Sequence, residues 1–215
     1  MPQFVFDAYG TLFDVHAAIR GYSTSPDAER MSEIWRAKQL EYTWTLTLAG
    51  CYVDFWILTE RALDFALTRV PSIDKALKPQ LLDAYFKLDA FPDARVALSR
   101  LKQQGHKTAI LSNGSPAKGA VDGAGVGGDL DAVLSVDAIR MFKPRPEVYA
   151  LVTNDFKCAP KDVTFVSSNR WDVMGAVSFG FRALWVNRGK MPDEYADYPP
   201  MQTISDLSSL AGLAT

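Results

Sequence analysis

Three charged side chains fall at points in the chain where chemistry can be done. Asp7 ends the short apolar run Gln3–Phe6 (QFVF), Lys143 opens the segment KPRPEVY, and Asp172 closes FVSSNRWD. An aspartate after a strand is, taken alone, an ordinary loop residue that caps the following turn. Two carboxylates and an ammonium gathered in one crevice are a different matter. Buried charge is costly unless it is used, and such groups are the material of nucleophilic and acid–base chemistry.

The elements that must position these groups can be read from periodicity. QFVF reads as a strand that opens into a loop with Asp7 at its tip. Residues 15–90 then change character and read as helical. Ser25-Pro26 suits a helix start, and Met31, Ile34, Trp35, Leu40, Tyr42 and Trp44 recur at helical spacings. VDFWILTERALDFALTRV places Phe55, Leu58, Ala62, Phe65 and Ala66 on one side of a second helix, and LLDAYFKL makes a shorter one. From Pro92 the pattern alternates. Helix DARVALSRLKQQG, with Gly105 at its C-terminal cap, precedes strand KTAILSN. Strand AVLSV, helix EVYALVTNDF, strand VTFVSSN, helix DVMGAVSFG and strand RALWVN follow. Short apolar strands alternating with helices imply an α/β fold, a parallel sheet covered on both faces. Ligands of such sheets bind beyond the carboxyl ends of the strands. Asp7, Ser112-Asn113 and Ser167-Ser168-Asn169 all fall at such ends. The glycine-rich GAVDGAGVGG has neither a P-loop nor a dinucleotide-binding pattern, and it reads as a flexible loop.

Composition narrows the partners. The 215 residues, 48% hydrophobic, suffice for one core or a core with a smaller insert. A formal net charge of -2 leaves no basic surplus for phosphates, so no nucleic-acid partner is expected. MPQFVFDAYG is not a signal peptide, and no apolar run is long enough to span a membrane. Cys51 and Cys158 form no CxxC and read as buried or incidental free thiols, which suits a cytoplasmic protein.

Four segments in order, FDAYGTLFDV, LSNGSP, KPRPEVY and FVSSNRWD, resemble the motifs of the haloacid dehalogenase superfamily, and more closely its 2-haloacid dehalogenase branch. WRAKQLEYTW resembles the cap helix of that branch, and the resemblance extends from Phe4 to about Arg188. It implies a Rossmann-like core of residues 1–14 and 91–215, with a helical-bundle cap at 15–90. It also implies hydrolysis of a short (S)-2-haloalkanoic acid to the (R)-2-hydroxy acid and halide, without cofactor or metal. Members are commonly homodimers. The superfamily's phosphatases carry a second aspartate two residues after the first, to protonate a departing alkoxide; here that place is Tyr9. Halide leaves without a proton.

By the same resemblance, Asp7 attacks C2 and forms an ester on its own side chain, with inversion. Lys143 stands beside Asp7, while Thr11 and Ser167 orient its carboxylate. Asp172 activates the water that cleaves the ester, and Asn169 helps to place it. Arg36, Asn113 and Trp171 cradle the halide. Amides near Tyr9 and the Ser112 hydroxyl take the substrate carboxylate. Tyr9, Leu40, Phe55 and Trp171 wall the pocket, and Tyr149 hydrogen-bonds within the site. Plainer roles compete at several positions: a solvated helix arginine at Arg36, a turn residue at Asn113, helix packing at Leu40, Phe55, Tyr149 and Trp171, and a helix cap at Asp172. Ala37 departs from the glutamine common in the family. His16 and His106 have no metal-ligand spacing and no serine partner, which argues against a zinc site or a Ser-His-Asp hydrolase. A magnesium-dependent phosphatase of the same fold and a non-catalytic relative are the alternatives.

Overall fold

The computed structural model describes residues 3–114 and 117–213. Chain order begins with β1 (Gln3–Phe6), then helices α1 (Ala17–Arg20), α2 (Ala28–Leu48), α3 (Phe55–Arg69) and α4 (Lys78–Phe86). Then come α5 (Pro92–Gln103), β2 (Lys107–Ser112), α6 (Ala117–Gly123) and β3 (Ala132–Ser135). The rest is α7 (Pro146–Phe156), β4 (Val163–Ser167), α8 (Arg170–Phe179), β5 (Arg182–Val186), β6 (Gln202–Ile204) and α9 (Leu210–Leu213). The strands form one six-stranded sheet in the order β3-β2-β1-β4-β5-β6, and the pairings are all parallel. The central strands are buried almost throughout, as a sheet covered on both faces requires. The fold is thus the expected α/β sheet with a helical insertion after the first strand.

Topology places the site. Sequence order runs outward from β1 in both directions, so β1 stands at the switch point where an open parallel sheet leaves a crevice. β1 is flanked by β2 and β4, with Phe6 opposite both Ile110 and Val166. The segments that follow these three strands therefore emerge side by side.

Local signals explain most boundaries. In α3, the Asp54 side chain accepts from Trp56 N (2.8 Å) and caps the first turn. Phe55, Leu58, Thr59, Ala62, Leu63, Ala66 and Leu67 then form its buried stripe, packed mainly on α2. Each leucine or phenylalanine so buried stabilises the fold by roughly 1.5–3 kcal/mol. At the end of α5, Gly105 takes φ 80°, and His106 N and Gly105 N reach back to Leu101 O and Lys102 O. That left-handed turn is where a glycine belongs.

Several expectations are corrected. Ser25-Pro26 does not start α2. It forms the preceding turn, Asp27 is the cap residue, and the Asp27 carboxylate is taken by Ser72 (2.6 Å). Phe65 lies off the buried stripe, 37% exposed, with Lys38 Nζ 4.6 Å from its ring centre. The glycine-rich stretch is no loop. It supplies most of α6 and a turn at Gly125, because Val121, Ala124 and Val126 interleave its glycines and bury. Both thiols are free, as expected, with Cys51 exposed and Cys158 partly buried. The sixth strand, Gln202–Ile204, was not anticipated, since only Ile204 of its three residues is buried.

Candidate active site

Asp7 follows β1 directly, and its amide still donates to Val166 O of β4 (3.0 Å). The backbone is thereby anchored in the sheet while the carboxylate stands beyond the strand end. Gly10, at φ 90°, turns the chain so that Thr11 comes back to the aspartate. Thr11 Oγ1 donates to Asp7 Oδ2 (3.1 Å), and Asn169 Nδ2 donates to the same oxygen (2.8 Å) and to Tyr9 O (3.2 Å). On the other side, Lys143 Nζ donates to Asp7 Oδ1 (2.9 Å) and to Asp172 Oδ2 (2.7 Å). One ammonium thus bridges two carboxylates, and all three residues are buried: Lys143 1%, Asp7 6% and Asp172 0% exposed.

Asp172 lies in the first turn of α8, whose cap residue is Asn169. Its carboxylate is engaged by side chains: Oδ1 accepts from the Tyr149 hydroxyl (2.7 Å), and Oδ2 from Lys143 and from Ser167 Oγ (3.3 Å). Ser167 is therefore a partner of Asp172, not of Asp7 as expected. Asn169 holds Asp7 itself. Ser167 ends β4 and its hydroxyl meets Asp172, whereas Asn169, two residues further on, reaches Asp7.

Burial pushes the Asp172 carboxyl up to about 6, and the neighbouring Asp7 charge adds to this, against the pull of Lys143 and Tyr149. Burial also opposes the charge on Lys143, yet the two carboxylates together outweigh it and raise its pKa. Burial raises the Tyr149 phenol well above its ordinary value, so it remains a donor to Asp172.

A small pocket of about 10 Å³ adjoins Asp7 and is lined by Tyr9, Arg36, Leu40, Phe55, Asn113 and Trp171. These are expected binding residues, drawn from the loops after β1 and β2 and from the helices α2, α3 and α8. Arg36 Nη2 reaches Tyr9 O at 3.4 Å, and Asn113 Oδ1 accepts from Lys143 N (2.9 Å). Tyr9 is stacked between Phe55 and Tyr85, with ring centres 5.8 and 5.5 Å away. Trp171 meets Trp44 edge-on at 5.4 Å, so it is both a packing residue and a pocket wall. Ser112 is buried, and its Oγ accepts from Gly114 N (2.9 Å). Ser115 and Pro116, which complete the expected SNGSP turn, lie outside the described residues. A larger cavity of about 680 Å³ shares Arg36, Leu40 and Trp171 with the small pocket and is also lined by Arg170, Arg188 and His16.

Some contributors escaped the sequence reading. Ser168 N donates to Thr11 Oγ1 (2.8 Å) and so fixes the hydroxyl that holds Asp7. Its place inside SSN was the available signal. Tyr85 gave none, because it sits at a helical spacing among apolar residues. His16 does find a serine, with Nδ1 2.7 Å from Ser32 Oγ. Asp14 reaches only the His16 backbone amide in that contact (3.0 Å), so the relay of a catalytic triad is not formed. Among the described residues, no group of three or more His, Cys, Asp or Glu is placed to hold a metal ion. No helix among them is long and apolar enough to cross a membrane.

Comparison with known proteins places this geometry in context. Residues 1–180 match the haloacid dehalogenase-like hydrolases. The chain is 46% identical to (S)-2-haloacid dehalogenase 1 of Pseudomonas sp. (strain CBS-3), over 97% of this chain and 94% of that one. It is 43% identical to (S)-2-haloacid dehalogenase 4A of Burkholderia cepacia, over 96% and 91% of the two chains. Among solved structures, the L-2-haloacid dehalogenase of Xanthobacter autotrophicus with chloropropionic acid covalently bound superposes with a TM-score of 0.88 at 37% identity, covering 99% of this chain and 98% of that one.

Proposed function

The chain belongs to the haloacid dehalogenase-like hydrolases, and from that membership we propose that it hydrolyses short (S)-2-haloalkanoic acids to (R)-2-hydroxy acids and halide. The observation that carries this reading is the Lys143 ammonium between Asp7 and Asp172, with Asp7 facing a pocket walled by Arg36 and aromatic rings. Residues 15–90 act as a cap over a core of 1–14 and 91–215, and the substrate lies between them.

In the first step, an Asp7 carboxylate oxygen attacks C2 from the face opposite the halogen. The carbon–halogen bond breaks, the halide leaves with the bonding pair, and C2 is inverted. Thr11, Asn169 and Lys143 hold the carboxylate in one orientation, so little entropy is left to lose in reaching the attack geometry. Arg36, Asn113 and Trp171 receive the departing halide. The substrate carboxylate is held by amides near Tyr9 and by the Ser112 hydroxyl.

In the second step, Asp172 takes a proton from water, and the hydroxide adds to Cγ of the Asp7 ester. The tetrahedral centre collapses, and the departing alkoxide takes the proton from Asp172 and leaves as the hydroxy acid with the original Asp7 oxygen. Asp7, now carrying the water oxygen, returns to carboxylate by losing a proton to solvent. A base with its pKa raised to about 6 is well matched to this proton transfer near neutrality. Tyr149 and Ser167 fix its direction.

The test is halide release from 2-chloropropanoate, run beside p-nitrophenyl phosphate with Mg²⁺. Stoichiometric halide and 2-hydroxypropanoate, with no phosphate hydrolysis, is the expected result. Phosphate release without halide release would reverse the assignment.

A further inference from the structure

Gly175 lies inside α8, buried, one turn beyond Asp172. A glycine in a helix interior is less favourable than alanine, so its presence calls for a reason of packing. The surroundings supply one. A Cβ placed on Gly175 would overlap the Tyr149 hydroxyl, and it would stand 2.7 Å from Pro144 Cβ and 3.0 Å from Tyr149 Cζ. That same hydroxyl donates to Asp172 Oδ1 (2.7 Å) and Asp172 O (3.2 Å). Pro144 directly follows Lys143, which donates to Asp172 Oδ2. The missing side chain is therefore the space through which α7 and the Lys143 loop close upon the second carboxylate.

We infer that Gly175 is a positioning residue for the second step: it admits the Tyr149 hydroxyl to Asp172 and so directs and tunes the base. This inference rests on the ester mechanism proposed above. The groups facing Asp172 are Lys143, Asp7, Tyr149 and Ser167, and Tyr149 is the one whose own atoms a methyl group at 175 meets, Lys143 being touched only through Pro144. A phenol that donates to a carboxylate favours its charged form. Its removal raises the pH at which Asp172 loses its proton.

The experiment compares wild type with Gly175→Ala, Tyr149→Phe and the double variant, each checked by circular dichroism and thermal melting. Two readouts are taken. Rapid quench with 2-chloropropanoate separates ester formation from ester hydrolysis. Carbon-13 NMR of carboxyl-labelled aspartates follows the Asp172 titration, with the resonance assigned through Asp172→Asn. Gly175→Ala should form ester at the wild-type rate and hydrolyse it roughly tenfold to a hundredfold more slowly, the worth of one charge-assisted hydrogen bond. Its Asp172 midpoint should rise. Tyr149→Phe should show the same changes, and adding Gly175→Ala to it should shift the midpoint no further. Independent, additive shifts would overturn the inference, as would a wild-type midpoint in Gly175→Ala. If only the double variant folds, the clash with the hydroxyl is confirmed; if neither folds, Gly175 serves packing alone and the inference fails. A wild type that forms no ester would refute the underlying reading, while the NMR titration still decides whether Gly175 governs Asp172.

Discussion

Division of labour between two carboxylates makes sharp demands on single residues. Asp7 is held at Oδ2 by Thr11 and Asn169 and at Oδ1 by Lys143, whereas Asp172 meets Tyr149, Ser167 and the same lysine. If Asp172 is the base, Asp172→Asn should complete the displacement and then stall. Intact-protein mass spectrometry after incubation with 2-chloropropanoate should show the acyl adduct, with about one halide released per site. Unaltered steady-state turnover without adduct would leave Asp172 a structural residue. The pH dependence follows from the same group. Its carboxyl is raised to about 6, and only the ionised form accepts a proton from water. Turnover should therefore fall as pH drops through about 6 and stay level above it, and a kcat profile between pH 5 and 8 measures this. A flat profile across that window would exclude Asp172 as the titrating base. Arg36 presents its guanidinium to the pocket and makes a long contact to Tyr9 O (3.4 Å). Arg36→Ala should lower kcat/KM about a hundredfold, as loss of one preorganised donor does, with the melting temperature little changed. Equal kcat/KM values for mutant and wild type would return Arg36 to the role of a solvated helix residue.

Helices α2 and α3 matter to the site through what they deliver: Arg36 and Leu40 from one, Phe55 from the other. Their mutual packing decides whether these side chains meet the sheet at the right place. Leu63 is fully buried in α3, so Leu63→Ala should destabilise the protein by about 2–5 kcal/mol in chemical denaturation, the usual cost of a core cavity. A loss below about 1 kcal/mol would show that the insert tolerates loose packing. Element types were legible in the chain because apolar spacing is a local property. Strands β1, β2, β4 and β5 are buried on both faces and read as apolar runs. Edge strand β6 was not legible, since an edge exposes most of its residues and carries little pattern. Phe65 was misplaced for a related reason: a residue beside the stripe is counted with it until a neighbouring helix shows which arc is covered.

Across the whole molecule, the position between the two carboxylates is filled by the Lys143 ammonium, at 2.9 and 2.7 Å. A second cation there would meet electrostatic repulsion, and Tyr9 stands where the phosphatases of the superfamily that this sequence resembles carry their second aspartate. Activity should therefore be unchanged by EDTA, and an assay before and after chelation checks this. Recovery of activity only on adding Mg²⁺ would contradict it. The amino-acid sequence by itself determined the α/β class, the helical insertion and the placement of Asp7 at a strand end. Those follow from residue type and local spacing, which the chain displays directly. Tertiary structure alone decided that Ser167 serves Asp172, that Asn169 and Ser168 converge on Asp7 and Thr11, and that Tyr85 and Gly175 shape the walls and approach of the site. Hydrogen-bond and packing partnership depends on ångström-scale placement of segments, some of them more than a hundred residues apart, and that placement is set only when the sheet and the helices pack together.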